Sequence, residues 1–108
     1  MATHIETSIR DDGDVRILVI TGEVDMDSSP RVRDEIHRAL KGTKMLKVHL
    51  RGVNYIDSSG IAVLIQGMKD AKKSGVGFAL LNPSENVRSV IELALLQQVF
   101  VIEESGGA

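Results

Sequence analysis

Residues 53 to 61, Val53-Asn54-Tyr55-Ile56-Asp57-Ser58-Ser59-Gly60-Ile61, put a carboxylate, two adjacent hydroxyls and a glycine just ahead of a run with helical apolar spacing. Two kinds of chemistry are open to such a cluster. The plainer is capping: Asp57 or Ser58 accepts a hydrogen bond from a backbone N–H that the helix start leaves without an intrahelical partner, and Gly60 eases the packing. The other is nucleophilic catalysis, with Ser58 beside Asp57. That needs a base for the serine, and neither a base nor a Gly-x-Ser-x-Gly elbow is present. Spacing alone therefore favours capping, and an enzyme is the weaker class.

The remaining chemistry-bearing residues are scattered. His4 falls in an N-terminal strand, His37 on a polar helix face and His49 within a strand, with no pair at a metal-ligand spacing, so surface or structural roles are expected and no metal or cofactor is implied. Gly52, Gly60 and Gly67 belong to no phosphate-cradling pattern. Gly67 lies inside a helical run, where glycine costs about 1 kcal/mol relative to alanine, which points to close packing against another backbone. Met26 and Met68 read as core or edge fillers, with Met26, directly after Asp25, placed to touch a partner. Arg31, Arg33, His37, Arg38 and Lys41 read as a solvated basic helix face.

The elements that must position the 57–60 cluster follow from periodicity. Residues 5–10 and 15–21 are strands joined through Asp11-Asp12-Gly13-Asp14, which is hairpin turn chemistry. The second is apolar on both sides, so burial of both faces is expected. Ser28-Ser29-Pro30 starts a helix whose stripe is Val32, Ile36, Ala39 and Leu40. Residues 44–50 form a strand that ends at Arg51-Gly52. From Ser58 the period becomes helical, with Ile61, Leu64, Ile65, Met68 and Ala71 on one face, up to Ser74-Gly75. Residues 77–81 are a strand, 85–96 a helix, 99–102 a last strand, and 103–108 a polar tail expected to fray. The order is β-β-α-β-α-β-α-β: an α/β fold, one domain over 1–108, with a mixed sheet, helices packed against it and parallel crossovers after an initial hairpin. Partner surfaces in such folds gather at strand ends where helices begin.

Composition bounds the function. A chain of 108 residues, 43% hydrophobic and 26% charged, matches one globular domain able to fold without a staple. Cysteine is absent, which removes disulfides, thiolate metal sites and a cysteine nucleophile. With 13 basic and 15 acidic residues the net charge is −2, and Tyr55, Phe78 and Phe100 stand far apart, so direct nucleic-acid binding is not expected. Neither a signal peptide nor a membrane span is visible, and a cytoplasmic protein without membrane insertion is expected.

The stretch Asp57-Ser58-Ser59-Gly60-Ile61-Ala62-Val63-Leu64, preceded by Gly22-Glu23-Val24-Asp25, resembles the STAS domain, in particular the stand-alone anti-sigma factor antagonists of bacterial partner-switching systems. The likeness includes the element order, the Leu80-Asn82-Pro83 loop and the closing segment from Leu95 to Ile102. It implies that Ser58 is phosphorylated by an anti-sigma factor that is itself a serine/threonine kinase, that a metal-dependent serine phosphatase reverses this, and that only the unphosphorylated form binds the kinase. Asp25, Met26, Asp57, Ser58, Ser59, Gly60 and Ile61 would form the partner surface. Two departures stand out: Ile61-Ala62 replaces the common Leu-Gly, and the sequence stops short of the full C-terminal helix often seen in the family. The alternative within the same fold is a non-phosphorylated STAS subunit of a transporter or signalling scaffold.

Overall fold

Three parallel strand pairs, each joined by a crossover, build most of the molecule. The computed structural model describes residues 4–105. Strands β1 (Ile5–Asp12), β2 (Val15–Val24), β3 (Met45–Ile56), β4 (Gly77–Leu81) and β5 (Ile102–Glu103) form one sheet in chain order. Only the β1–β2 pair is antiparallel, so the sheet is mixed as expected. Helices α1 (Ser29–Ala39), α2 (Ser58–Ser74) and α3 (Glu85–Leu93) make the three crossovers. When every crossover steps in the same direction, right-handedness places all helices on one face. The core agrees: Leu18, Ile20, Leu46, Val48, Leu50 and Leu80 from the strands share one buried cluster with Val32, Ile36, Leu64, Val87 and Ile91 from the helices.

The boundaries differ from expectation where backbone irregularity intervenes. The hairpin turn is only Gly13 and Asp14, with Gly13 at φ 65°, so β1 continues to Asp12. Strand β3 does not end at Gly52. Its register against β2 shifts between Val19 and Thr21 and again between Gly22 and Glu23, and the strand runs on to Ile56. Gly52 fits the first irregularity, since a Cβ there would lie 2.6 Å from Thr21 Cγ2. Helix α3 stops at Leu93 rather than Leu96, because Leu95 takes φ 59° and the Leu96 N–H donates to Ile91 O. The final strand is correspondingly short, pairing Ile102 with Leu80 and Glu103 with Leu81. The fraying expected from Glu103 does not occur through Ser105: Ser105 N donates to Asn82 Oδ1 and Asn82 Nδ2 to Ser105 Oγ, both at 2.8 Å. Residues 106–108 lie outside the described residues.

Gly67 is needed for helix packing, though against a side chain and not a backbone. A Cβ would stand 2.9 Å from Ile36 Cγ2 and 3.4 Å from Phe78 Cε1, where α2 meets α1 and β4. Among the described residues no helix is long and apolar enough to cross a membrane.

Candidate functional site at the start of helix α2

The site begins with the extra length of β3. Beyond His49 this strand has no β4 partner, and the α3 start takes over its support. Asn86 Oδ1 accepts from Ile56 N at 2.9 Å, while Ser84 Oγ donates to Val53 O at 2.5 Å and accepts from Val87 N at 3.2 Å as the α3 cap. These bonds fix the strand end that delivers Asp57.

Asp57 is the N-cap of α2, in extended conformation. Its Oδ1 accepts from Ser59 N at 2.9 Å and Gly60 N at 3.2 Å, and also from the Ser59 hydroxyl at 2.5 Å. The Ser59 hydroxyl bond, reinforced by the Gly60 and Ser59 amides against a smaller opposing effect of burial, holds the carboxyl below its usual range. Asp57 therefore stays ionised and occupied with the helix start. Of the two capping candidates it is the aspartate that caps. Ser58 is left over: it is exposed, and its side chain makes no hydrogen bond among the described residues. The two hydroxyls, equivalent in the sequence, are thus chemically distinct.

Gly60 and Ile61 serve the placement of this turn. A Cβ at Gly60 would meet Ile56 Cγ1 at 2.6 Å and Val24 Cγ1 at 2.7 Å, so glycine lets the first helical turn settle onto both strands. Ile61, expected on the partner surface, is only 5% exposed and joins the core, as its position on the apolar stripe of α2 requires. It is removed from the set of side chains a partner could touch, and buried Gly60 offers at most backbone.

A second loop lies alongside. The Asp57 N–H donates to Val24 O at 3.2 Å, joining the end of β2 to the start of α2. Immediately after, Asp25 Oδ1 accepts from Asp27 N and Ser28 N, each at 3.0 Å, an Asx-type turn. Ser28, the N-cap residue of α1, makes no side-chain cap bond. Its hydroxyl donates to Glu23 O at 2.7 Å and accepts from Asp25 N at 3.0 Å, so it closes the loop instead. Upstream, Gly22 has φ 108°, and a Cβ there would stand 1.9 Å from His4 O, which accepts from Glu23 N at 3.0 Å. Met26 projects from this loop with 76% exposure.

Sequence reasoning missed Tyr55. It is 46% exposed and pairs in register with Glu23, so an exposed aromatic stands two positions before Asp57 on β3. The irregular β2–β3 register hid this, because simple alternation does not carry through it. Among the described residues no three His, Cys, Asp or Glu side chains gather to hold a metal ion.

Comparison with known proteins fits this geometry. A Bacillus subtilis protein named anti-sigma-B factor antagonist is 30% identical over 83 residues, 77% of this chain and 76% of its own. A Listeria monocytogenes protein of the same name is 27% identical over 109 residues, covering 99% and 94%. The crystal structure of an anti-sigma factor antagonist from Mycobacterium paratuberculosis superposes with a TM-score of 0.83 at 24% identity, over 92% of this chain and 85% of that one, a likeness of fold. The family model for the STAS domain matches residues 6–107, and with the mixed five-stranded sheet and three helices this establishes that the chain belongs to the STAS domain family.

Proposed function

We propose that this protein is an anti-sigma factor antagonist whose binding is gated by phosphorylation of Ser58. The observation that carries the reading is the difference between the two serines: Ser58 is exposed with a free hydroxyl, while Ser59 is committed to Asp57. A kinase can reach the first without breaking a bond that holds the fold. The relatives named anti-sigma-B factor antagonist supply the partner class, an anti-sigma factor, which in this reading is also the serine/threonine kinase. A metal-dependent phosphatase completes the cycle, and the protein works in the cytoplasm by binding, without catalysis of its own.

The gate follows from charge. A phosphate on Ser58 adds roughly −1.5 to −2 units beside the ionised Asp57. The helix N-terminus tolerates the anion, so the fold survives. A partner that docks across Met26, Tyr55 and the Ser58 hydroxyl meets a bulky dianion instead, and a loss of about 2–3 kcal/mol weakens binding roughly thirty- to one-hundred-and-fifty-fold. The test is affinity capture from the native cytoplasm with Ser58→Ala and Ser58→Asp baits. The first should retain a kinase-like protein and the second lose it. Equal recovery by both baits defeats the gate.

A further inference from the structure

The sheet face opposite the helices carries a depression of about 610 Å³, and no residue of the Ser58 turn lines it. Strand register lays two rows of side chains across this face: Arg10, Ile17, Lys47 and Ala79 in one, Ser8, Val19, His49, Leu81 and Glu103 in the next. The floor is apolar where Ile17 and Leu81 line it, and basic groups from β1 and β3 surround that floor. Its acidic groups are largely engaged. Glu103 lies 2.7 Å from Lys47 Nζ, Glu104 is paired with Arg88, and Asp12 sits a row further out, opposite Val15. Arg10 forms no ion pair among the described residues.

His49 stands at the centre of this arrangement. Its Nδ1 is buried and has no hydrogen-bond partner among the described residues, so the fold leaves a polar group unused. Burial, then the charges of Arg51 and Arg10, hold its pKa below the usual histidine value. The charged groups around it are Arg10 and Asp12 from β1, Lys47 and Arg51 from β3, Glu103 from β5 and Glu104 beyond it, whereas β2 and β4 contribute only apolar side chains to the lining. Size suits the same conclusion, since small-molecule sites run from roughly 300 to 1,000 Å³.

We propose that this depression binds a small organic anion, an oxyanion head on an apolar body, with the head at Arg10 and His49 and the body on Ile17 and Leu81. An anion there offsets the arginine field and draws a proton onto His49, both of whose ring nitrogens then donate. Binding in this way includes a turn of the ring about Cβ–Cγ, since the unused nitrogen is buried in the free form and must face the head in the bound one. The proposal is independent of the role given to Ser58.

The test is a titration of the full chain with phenyl phosphate, followed by amide and imidazole nitrogen correlation spectra, with inorganic phosphate and benzyl alcohol as head-only and body-only controls. Phenyl phosphate should give saturable shifts at Ile17, His49 and Leu81, raise the His49 pKa, and bind at least about fivefold more weakly to Arg10→Gln and His49→Gln. Inorganic phosphate should bind more weakly than phenyl phosphate. Absence of saturation, unchanged affinity in both variants, or equal shifts from benzyl alcohol or inorganic phosphate would overturn the proposal. Arg10 is on an exposed edge strand, so the Arg10→Gln arm stands even if His49→Gln folds poorly.

Discussion

The Ser59 hydroxyl donates to Asp57 Oδ1 at 2.5 Å, so the second serine of the pair is part of the helix cap. Replacing it separates structure from signalling. Ser59→Ala should lower unfolding free energy by about 1 kcal/mol through the lost bond to a charged, partly solvated acceptor. Phosphorylation at position 58 should continue. Urea denaturation and phosphopeptide mapping check the two halves, and loss of all labelling in Ser59→Ala with wild-type stability would reverse the assignment.

Ser58→Asp should behave oppositely. The new carboxylate sits in the first turn of α2, where it complements the helix dipole, and stability should stay within about 0.5 kcal/mol of wild type or rise slightly. Anti-sigma partner affinity should fall at least about thirtyfold. Thermal melting and calorimetric titration read these separately. A variant that unfolds would show that the switch acts on the fold.

Asp57 makes stability depend on acid. Because its folded pKa is depressed, its contribution is complete above the ordinary carboxylate value of about 4 and is lost as pH falls through the lower folded value. Asp57→Asn keeps a capping oxygen and removes the charge. The stability gap between wild type and Asp57→Asn should therefore be widest near neutrality and close in acid. A gap constant from neutral pH down to about pH 2 would show that ionisation contributes nothing.

Gly60→Ala should cost about 1–3 kcal/mol, because the added methyl overlaps Ile56 and Val24 side chains on two strands. Helix propensity alone favours alanine by about 1 kcal/mol, so the two effects have opposite sign and packing should win. A stabilised Gly60→Ala variant would mean that the helix start can lift freely.

Leu95→Gly tests the end of α3. Leu95 holds φ 59° with 80% of its surface exposed, so glycine removes left-handed strain and little buried area. A gain of about 0.5–1 kcal/mol is expected, net of the extra chain entropy glycine brings to the unfolded state. A lower melting temperature would contradict this.

How much of this was legible in the sequence depends on which force decided each element. Stripes such as Ile61, Leu64, Met68 and Ala71 were readable because one helix face meets the sheet, and the element order announced an initial hairpin followed by parallel crossovers. The far half of β3 was not. Asn54 and Tyr55 look like loop residues, and their strand conformation depends on Asn86 and Ser84 from an element thirty residues away. The stop after Leu93 carried no glycine to announce it. At the site, the resemblance pointed to this turn, but one carboxylate and two serines in a row could be paired in several ways. Only the geometry shows that Asp57 bonds Ser59 and that Ser28 closes a loop, whereas the inward side of Ile61 was already implied by its place on the helical stripe.

The contact of His4 O with the Gly22–Glu23 backbone bears on how the protein should be handled. Anything fused ahead of β1 pulls on a carbonyl bonded two residues from Asp25, so a reporter or capture tag joined there can disturb the very loop being assayed. Matched baits carrying the tag at opposite termini would expose such an artefact as a difference in recovery.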